Sequence, residues 1–168
     1  MIASEDIEAN GFPWAFADTM PHEVRDRRSG IEPNNPIIIN TDFEGGPGVH
    51  WIVITQMESS PTTVYMYDPL GSLNARVNSA QEPITGILKS RIEHNLGHRI
   101  TFHIYPYASQ RASTTLCGWF ALSIAQLIKE HLREHPRASP SALDKLIIAK
   151  FGKSADKKDE QVLAAGFA

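Results

Sequence analysis

One cysteine, Cys117, is all the thiol that 168 residues contain. A single cysteine excludes an internal disulfide and excludes the cysteine-rich zinc motifs. Long hydrophobic runs are missing too. None approaches the roughly 18 residues that a membrane-spanning helix needs, so no membrane association is expected. Basic charge is not in excess: 16 Lys and Arg stand against 19 Asp and Glu, a formal net charge of −3. The chain as a whole is therefore not a basic nucleic-acid binder. The first eight residues, Met1 to Glu8, are acidic and lack the basic stretch of a secretory signal peptide. A reducing intracellular compartment, which keeps a thiol free, is the expectation. Internal repeats and low-complexity blocks are absent.

What is present is the balance of a folded domain. Hydrophobic residues make up 42% and charged residues 21%, enough to bury a core at this length. Residues 1–168 are read as one domain. Residues 1–35 form a loop-rich N-terminal segment broken by glycine and proline, with a short helix predicted near 21–28. Phe12, Trp14 and Phe16 alternate there and are expected to dock on the body of the fold. Runs rich in β-branched and aromatic residues at 36–41, 49–55 and 63–67 predict strands. The glycine-rich loop 42–48 separates the first two, and a hairpin turn the last two. Pro83 opens a helix whose apolar positions Ile84, Ile87, Leu88, Ile92 and Leu96 recur at helical spacing, with Gly97 as its C-terminal cap. Ile100, Phe102 and Ile104 alternate in a half-buried strand. A helix from about 116 to 132 carries Phe120, Ile124, Leu127 and Ile128 on one stripe, and a last helix covers about 140–151. Residues 153–168 are charged and then small, and read as a loose tail. The order β-β-β-α-β-α-α predicts an α+β fold with a mainly antiparallel sheet packed against helices.

Cys117 stands at the predicted start of a helix. There the positive end of the dipole and unpaired N–H groups favour the thiolate, which is the nucleophile. Gly118 follows and leaves the backbone beside the sulfur uncovered. Gln110 lies seven positions upstream, far enough for a loop to fold its amide over the sulfur. Alone, such a cysteine reads as a buried structural thiol. A nucleophilic one needs a base, and the base needs an orienting group. His50 begins a strand directly after the glycine-rich loop. Asp68 ends the neighbouring strand eighteen residues on, where its carboxylate is expected to accept the His50 Nδ1–H. Trp51 points to the opposite strand face and packs in the core.

Together, Gly48-Val49-His50-Trp51, Tyr67-Asp68-Pro69-Leu70-Gly71, and Gln110 followed by Cys117-Gly118-Trp119-Phe120 resemble the adenovirus protease (adenain) family. That family shares its fold core with the ubiquitin-like-protein deconjugating proteases. The resemblance takes in Asn40-Thr41 and covers roughly residues 36–128. The order His–Asp–Cys, with a Gln ahead of the Cys, is specific to this group. By this resemblance Cys117 is the nucleophile, His50 the general base and Asp68 its orienter. The Gln110 side chain and the Cys117 N–H form an oxyanion hole, and Gly48, Trp51, Gly118 and Trp119 line a narrow substrate cleft. The implied activity is a cysteine endopeptidase cutting viral precursor polypeptides at small-residue, glycine-type sites, in the host cell, its nucleus or the virion. Two departures matter. Adenovirus enzymes carry Glu where Asp68 stands. Leu116 replaces the Asp that commonly precedes Cys-Gly in the deconjugases, which favours the viral branch. The adenovirus enzyme is activated by a disulfide-joined peptide and uses DNA as a cofactor. With one cysteine that tether cannot form here. DNA or an activating peptide remains an implication of the resemblance alone, no cofactor is otherwise required, and a monomer is expected.

The remaining features read as ordinary surface. Arg25, Arg27 and Arg28 form one basic group. Lys145, Lys150, Lys153, Lys157 and Lys158 form another, interrupted by Asp156, Asp159 and Glu160; both read as solvated faces. His94, His98 and His103 lack the arrangement of a zinc site, so no metal is expected. His131 and His135 fall at a helix C-terminus, where cations are favoured. Two other functions fit the motif. A deconjugase of a ubiquitin-like protein also cuts after glycine, but needs an extended gripping surface that a short chain disfavours. A non-catalytic binding or capsid-associated module has no need of His50, Asp68, Gln110 and Cys117 together.

Overall fold

The strand residues Ile37, Ile38 and Ile39 are all buried, as is every residue from Trp51 to Met57. Side chains on a strand alternate between faces, so such runs require cover on both sides. The computed structural model, which describes residues 4–16, 31–41, 50–71, 81–109 and 117–153, supplies it with a sheet between two helical layers. Ile38, Trp51, Val53, Tyr65 and Tyr67 join one core with Phe120, Ile124 and Ile128, and with Leu143, Ile147 and Phe151. Ile37, Ile39, Ile52, Ile54, Val64 and Met66 join a second core with Leu88 and Ile92.

Among the described residues, nine elements build these layers: α1 (Ser4–Ala9), β1 (Trp14–Phe16), β2 (Ile37–Asn40), β3 (Trp51–Met57), β4 (Ser60–Tyr67), α2 (Gln81–Leu96), β5 (Thr101–Ile104), α3 (Cys117–Glu134) and α4 (Pro140–Phe151). The five strands lie in the order β1-β2-β3-β4-β5. β3 is antiparallel to β2 and to β4, whereas β1–β2 and β4–β5 are parallel. The mainly antiparallel sheet expected from the sequence is thus a mixed one. The reason is connection length. A tight turn at 58–59 forces β3 and β4 antiparallel, but a parallel pair needs a crossover of a dozen or more residues. Residues 17–36 separate β1 from β2, and α2 lies between β4 and β5. The α+β class stands.

α1 and β1 are elements that the punctuated N-terminal sequence hides. Phe12 is buried, and the Trp14 ring meets Trp51 edge-on at 6.0 Å, which docks this segment as expected. The helix predicted near 21–28 and residues 154–168 of the tail lie outside the described residues. α2 ends at Gly97, whose φ of +76 and N–H to Glu93 O make the cap. α4 starts on Ser139, whose side chain accepts the Ala142 N–H, with Pro140 as its first residue. Asp144 on α4 accepts from Tyr65 Oη at 2.6 Å and pairs with His103 Nε2 at 2.7 Å. Asp144 therefore pins α4 to β4 through Tyr65 and to β5 through His103. At the far end of α3 the His131 ring lies 4.7 Å from that of His135. Burial first, and His135 second, lower the His131 pKa, opposing the charge that the helix end favours.

Candidate active site

β3 and β4 place His50 and Asp68 at the same end of the sheet. Val53 faces Tyr67 in the register, so His50 precedes β3 just where Asp68 follows β4. The His50 carbonyl accepts the Thr41 N–H at 2.9 Å, which anchors its backbone to the β2 edge. The imidazole is 5% exposed and Asp68 is fully buried. His50 Nε2 meets Asp68 Oδ1 at 2.5 Å, and the same oxygen accepts the Leu70 N–H at 2.9 Å. The ring is therefore reversed from the sequence expectation: Nε2, not Nδ1, faces the carboxylate. The turn at 68–71 carries Asp68 past the strand end, where it reaches the far ring nitrogen and leaves Nδ1 for another partner.

The Cys117 thiol is the other group at the ring, close enough for each to shift the other's protonation. Cys117 is the first residue of α3, and the first turn holds no acidic residue to oppose a thiolate. The helix forms because Phe120, Ala121, Ile124, Ala125, Ile128 and Leu132 recur at helical spacing and bury one face against the sheet. Two backbone N–H groups reach the sulfur, from Gly118 and from Trp51. The Trp51 donor is a product of topology. The Thr41 N–H to His50 O bond makes Asn40 and Trp51 a non-hydrogen-bonded pair, so the Trp51 N–H faces away from β2. β4 has already ended at Tyr67, and the donor turns to the sulfur instead.

The electrostatics follow from these contacts. Burial opposes a charge on His50 most strongly, but the hydrogen bonds and negative charges of Asp68 and Cys117 outweigh it and raise the imidazole pKa to about 9. Burial likewise raises the thiol, yet the hydrogen bond and charge of His50, then the Trp51 and Gly118 N–H groups, bring Cys117 below its ordinary value. Each group favours the charged form of the other. The arrangement suits a thiolate–imidazolium pair held by a carboxylate.

The sequence profile of the adenovirus endoprotease family matches residues 31–148. The chain belongs to that family. Adenovirus endoproteases are cysteine peptidases, and the match spans His50, Asp68 and Cys117 together with every strand from β2 to β5. No curated protein matches the sequence. Among solved structures, the chain resembles the ASFV pS273R protease, with 18% identity and a TM-score of 0.37 over 76% of this chain and 41% of that one. It thus spans about two fifths of that protein's length. It also resembles the Xanthomonas campestris effector XopD, solved bound to ubiquitin, with 13% identity and a TM-score of 0.47 over 88% of this chain and 90% of the other.

The other residues singled out by family resemblance divide by position. Gly118 is buried beside the thiol, and Trp119 is partly buried against the α3 core. Trp51 is buried in that same core, as its strand phase predicts. Gly48 and Gln110 lie outside the described residues. Sequence reasoning missed the Leu70 N–H on Asp68 and the Trp51 N–H on Cys117. An Asp followed two residues later by a free N–H is an Asx-turn signal, so the first was findable; the second was not, because backbone donors carry no sequence mark. Among the described residues, no three His, Cys, Asp or Glu side chains converge as metal ligands, and no helix is long and apolar enough to cross a membrane.

Proposed function

We propose that this protein is a cysteine endopeptidase that processes viral precursor polypeptides at glycine-type sites in an infected cell. The observation that carries the reading is one buried imidazole hydrogen-bonded to a carboxylate and set beside the only thiol, at the head of a helix. The Cys117 thiolate attacks the scissile carbonyl. The Cys117 N–H and the Gln110 amide receive the oxyanion. The His50 imidazolium gives its proton to the leaving amine, and water, deprotonated by the same ring, releases the acyl group. Asp68 holds the ring and stabilises its charge throughout. The enzyme acts as a monomer, and any DNA or peptide activator binds without a disulfide.

The test is cleavage of a peptide library in strong reductant, with and without an alkylating agent. Activity is expected in the reduced protein and is lost on alkylation. Replacing glycine by leucine on the acyl side should abolish cleavage, since a single methylene alone is worth about 10–200-fold in a tight apolar pocket. Equal turnover of both peptides would remove the glycine-site reading. Turnover that alkylation leaves intact would remove the thiol mechanism itself.

The pH dependence has a definite sign. Activity needs the thiolate, so it falls as pH drops through the lowered Cys117 pKa. It also needs the imidazolium, so it falls again as pH rises through about 9, where His50 loses its proton. A bell-shaped kcat/KM profile is expected, with its alkaline limb near that value. An alkaline limb near 6.5, the ordinary histidine value, would contradict the pairing.

A further inference from the structure

The turn that carries Asp68 is pressed against a second segment. The Gly71 N–H closes it by donating to Asp68 O at 2.9 Å. Gly71 has φ +64, a conformation that residues with a Cβ rarely adopt. It also has no room for one: a Cβ would lie 2.8 Å from Ala108 N and 3.0 Å from Ala108 Cα. Beside it the Ser109 N–H donates to Pro69 O at 2.8 Å, and the Tyr105 N–H donates to Met66 O at 2.9 Å. The stretch after β5 therefore runs along the stretch that ends β4, bonded at both ends and in backbone contact between. The Tyr67 and Ser109 hydroxyls, both enclosed, are polar neighbours across this seam without meeting ordinary hydrogen-bond geometry. Burial holds the phenol protonated, so no second negative charge forms beside Asp68.

We propose that Gly71, Ala108 and Ser109 are positioning residues for the His50–Asp68 pair, forming a backbone brace that presses the Asp68 carboxylate onto the imidazole. This rests on the thiolate–imidazolium reading of the site. The carboxylate sits two bonds from the braced backbone and meets Nε2 at 2.5 Å, so a shift of the turn lengthens that contact directly. Gly71 is the tightest point. A Cβ there meets main chain, which cannot rotate aside as the end of a side chain does. The mutated turn must back away from Ala108, and the carboxylate moves with it.

Because Cys117 is the only cysteine, its alkylation rate against pH reads the site without any substrate. Weakening the support of Asp68 destabilises the imidazolium and with it the thiolate. In Gly71→Ala the acid limb of alkylation is expected to rise by about one pH unit, the shift that a tenfold loss of ion-pair preference produces. The control is Gly97→Ala, which has similar left-handed strain at φ +76 but nothing within 4 Å of its Cβ; it should lower the melting temperature and leave the limb in place. Should Gly71→Ala fail to fold, Ser109→Pro removes the N–H that Pro69 O accepts, and a rise of the limb is again expected. A wild-type limb at the ordinary thiol value sinks the ion-pair reading. A low wild-type limb that does not move in the folded Gly71→Ala, or in Ser109→Pro where that variant must stand in, overturns the brace.

Discussion

Asp68→Asn is expected to lower kcat by about 10⁴-fold with little change in KM, as loss of the orienting carboxylate does in a comparable triad. The carboxylate does two things at His50. It receives the Nε2–H, which leaves Nδ1 free to take the thiol proton, and its charge stabilises the imidazolium. An amide keeps the shape and removes the charge. If its NH₂ turns to the ring, Nε2 must accept, the proton moves to Nδ1, and the ring no longer serves as a base toward Cys117. Substrate contacts are untouched, so the loss falls on kcat. The Leu70 N–H still finds an oxygen if the amide keeps the native orientation, so folding should survive. Asp144→Asn is the matched control. That residue also pairs with a histidine, at 2.7 Å, but it joins α4 to the sheet; it should cost stability and spare kcat. A full-rate Asp68→Asn enzyme would reduce the His50–Asp68 contact to a packing feature.

The second large effect is expected at Gln110. If its amide donates to an oxyanion that exists only in the transition state, Gln110→Ala should lower kcat by about 10²–10³-fold, the loss seen for one such donor. KM should change little, because the ground-state carbonyl gains less from that donor. Alkylation of Cys117 should proceed at the wild-type rate, since it forms no oxyanion. The measurements are kcat, KM, the alkylation rate and a melting curve as a control for folding. Unchanged kcat in a folded protein removes Gln110 from the mechanism. Loss of kcat together with thiol reactivity would assign it instead to holding the Cys117–His50 pair.

Much of the fold was legible because its cues are local. Phe120, Ile124 and Ile128 mark α3 by spacing, Gly97 marks the end of α2, and the runs at β2, β3 and β4 are strongly β-forming. The short α1 and β1 were not legible, since six and three residues are too few to show a period. Strand direction was misjudged for a related reason. Periodicity says that β5 is a strand, whereas the crossover through α2 decides that it runs parallel to β4.

The sequence by itself determined which reactive groups the fold has to place. A lone thiol before glycine, a histidine after a glycine-rich loop and an aspartate in a proline turn are chemical identities, written residue by residue. Only the tertiary structure decided how they meet. Which ring nitrogen faces Asp68 depends on where the turn at 68–71 leaves β4. That the Trp51 N–H reaches the sulfur depends on β4 ending opposite it. That Gly71 must be glycine depends on Ala108, thirty-seven positions away in the chain. These are contacts of backbone with backbone or ring, set by register and crossover. Peptide groups are the same at every position, so no residue letter records them.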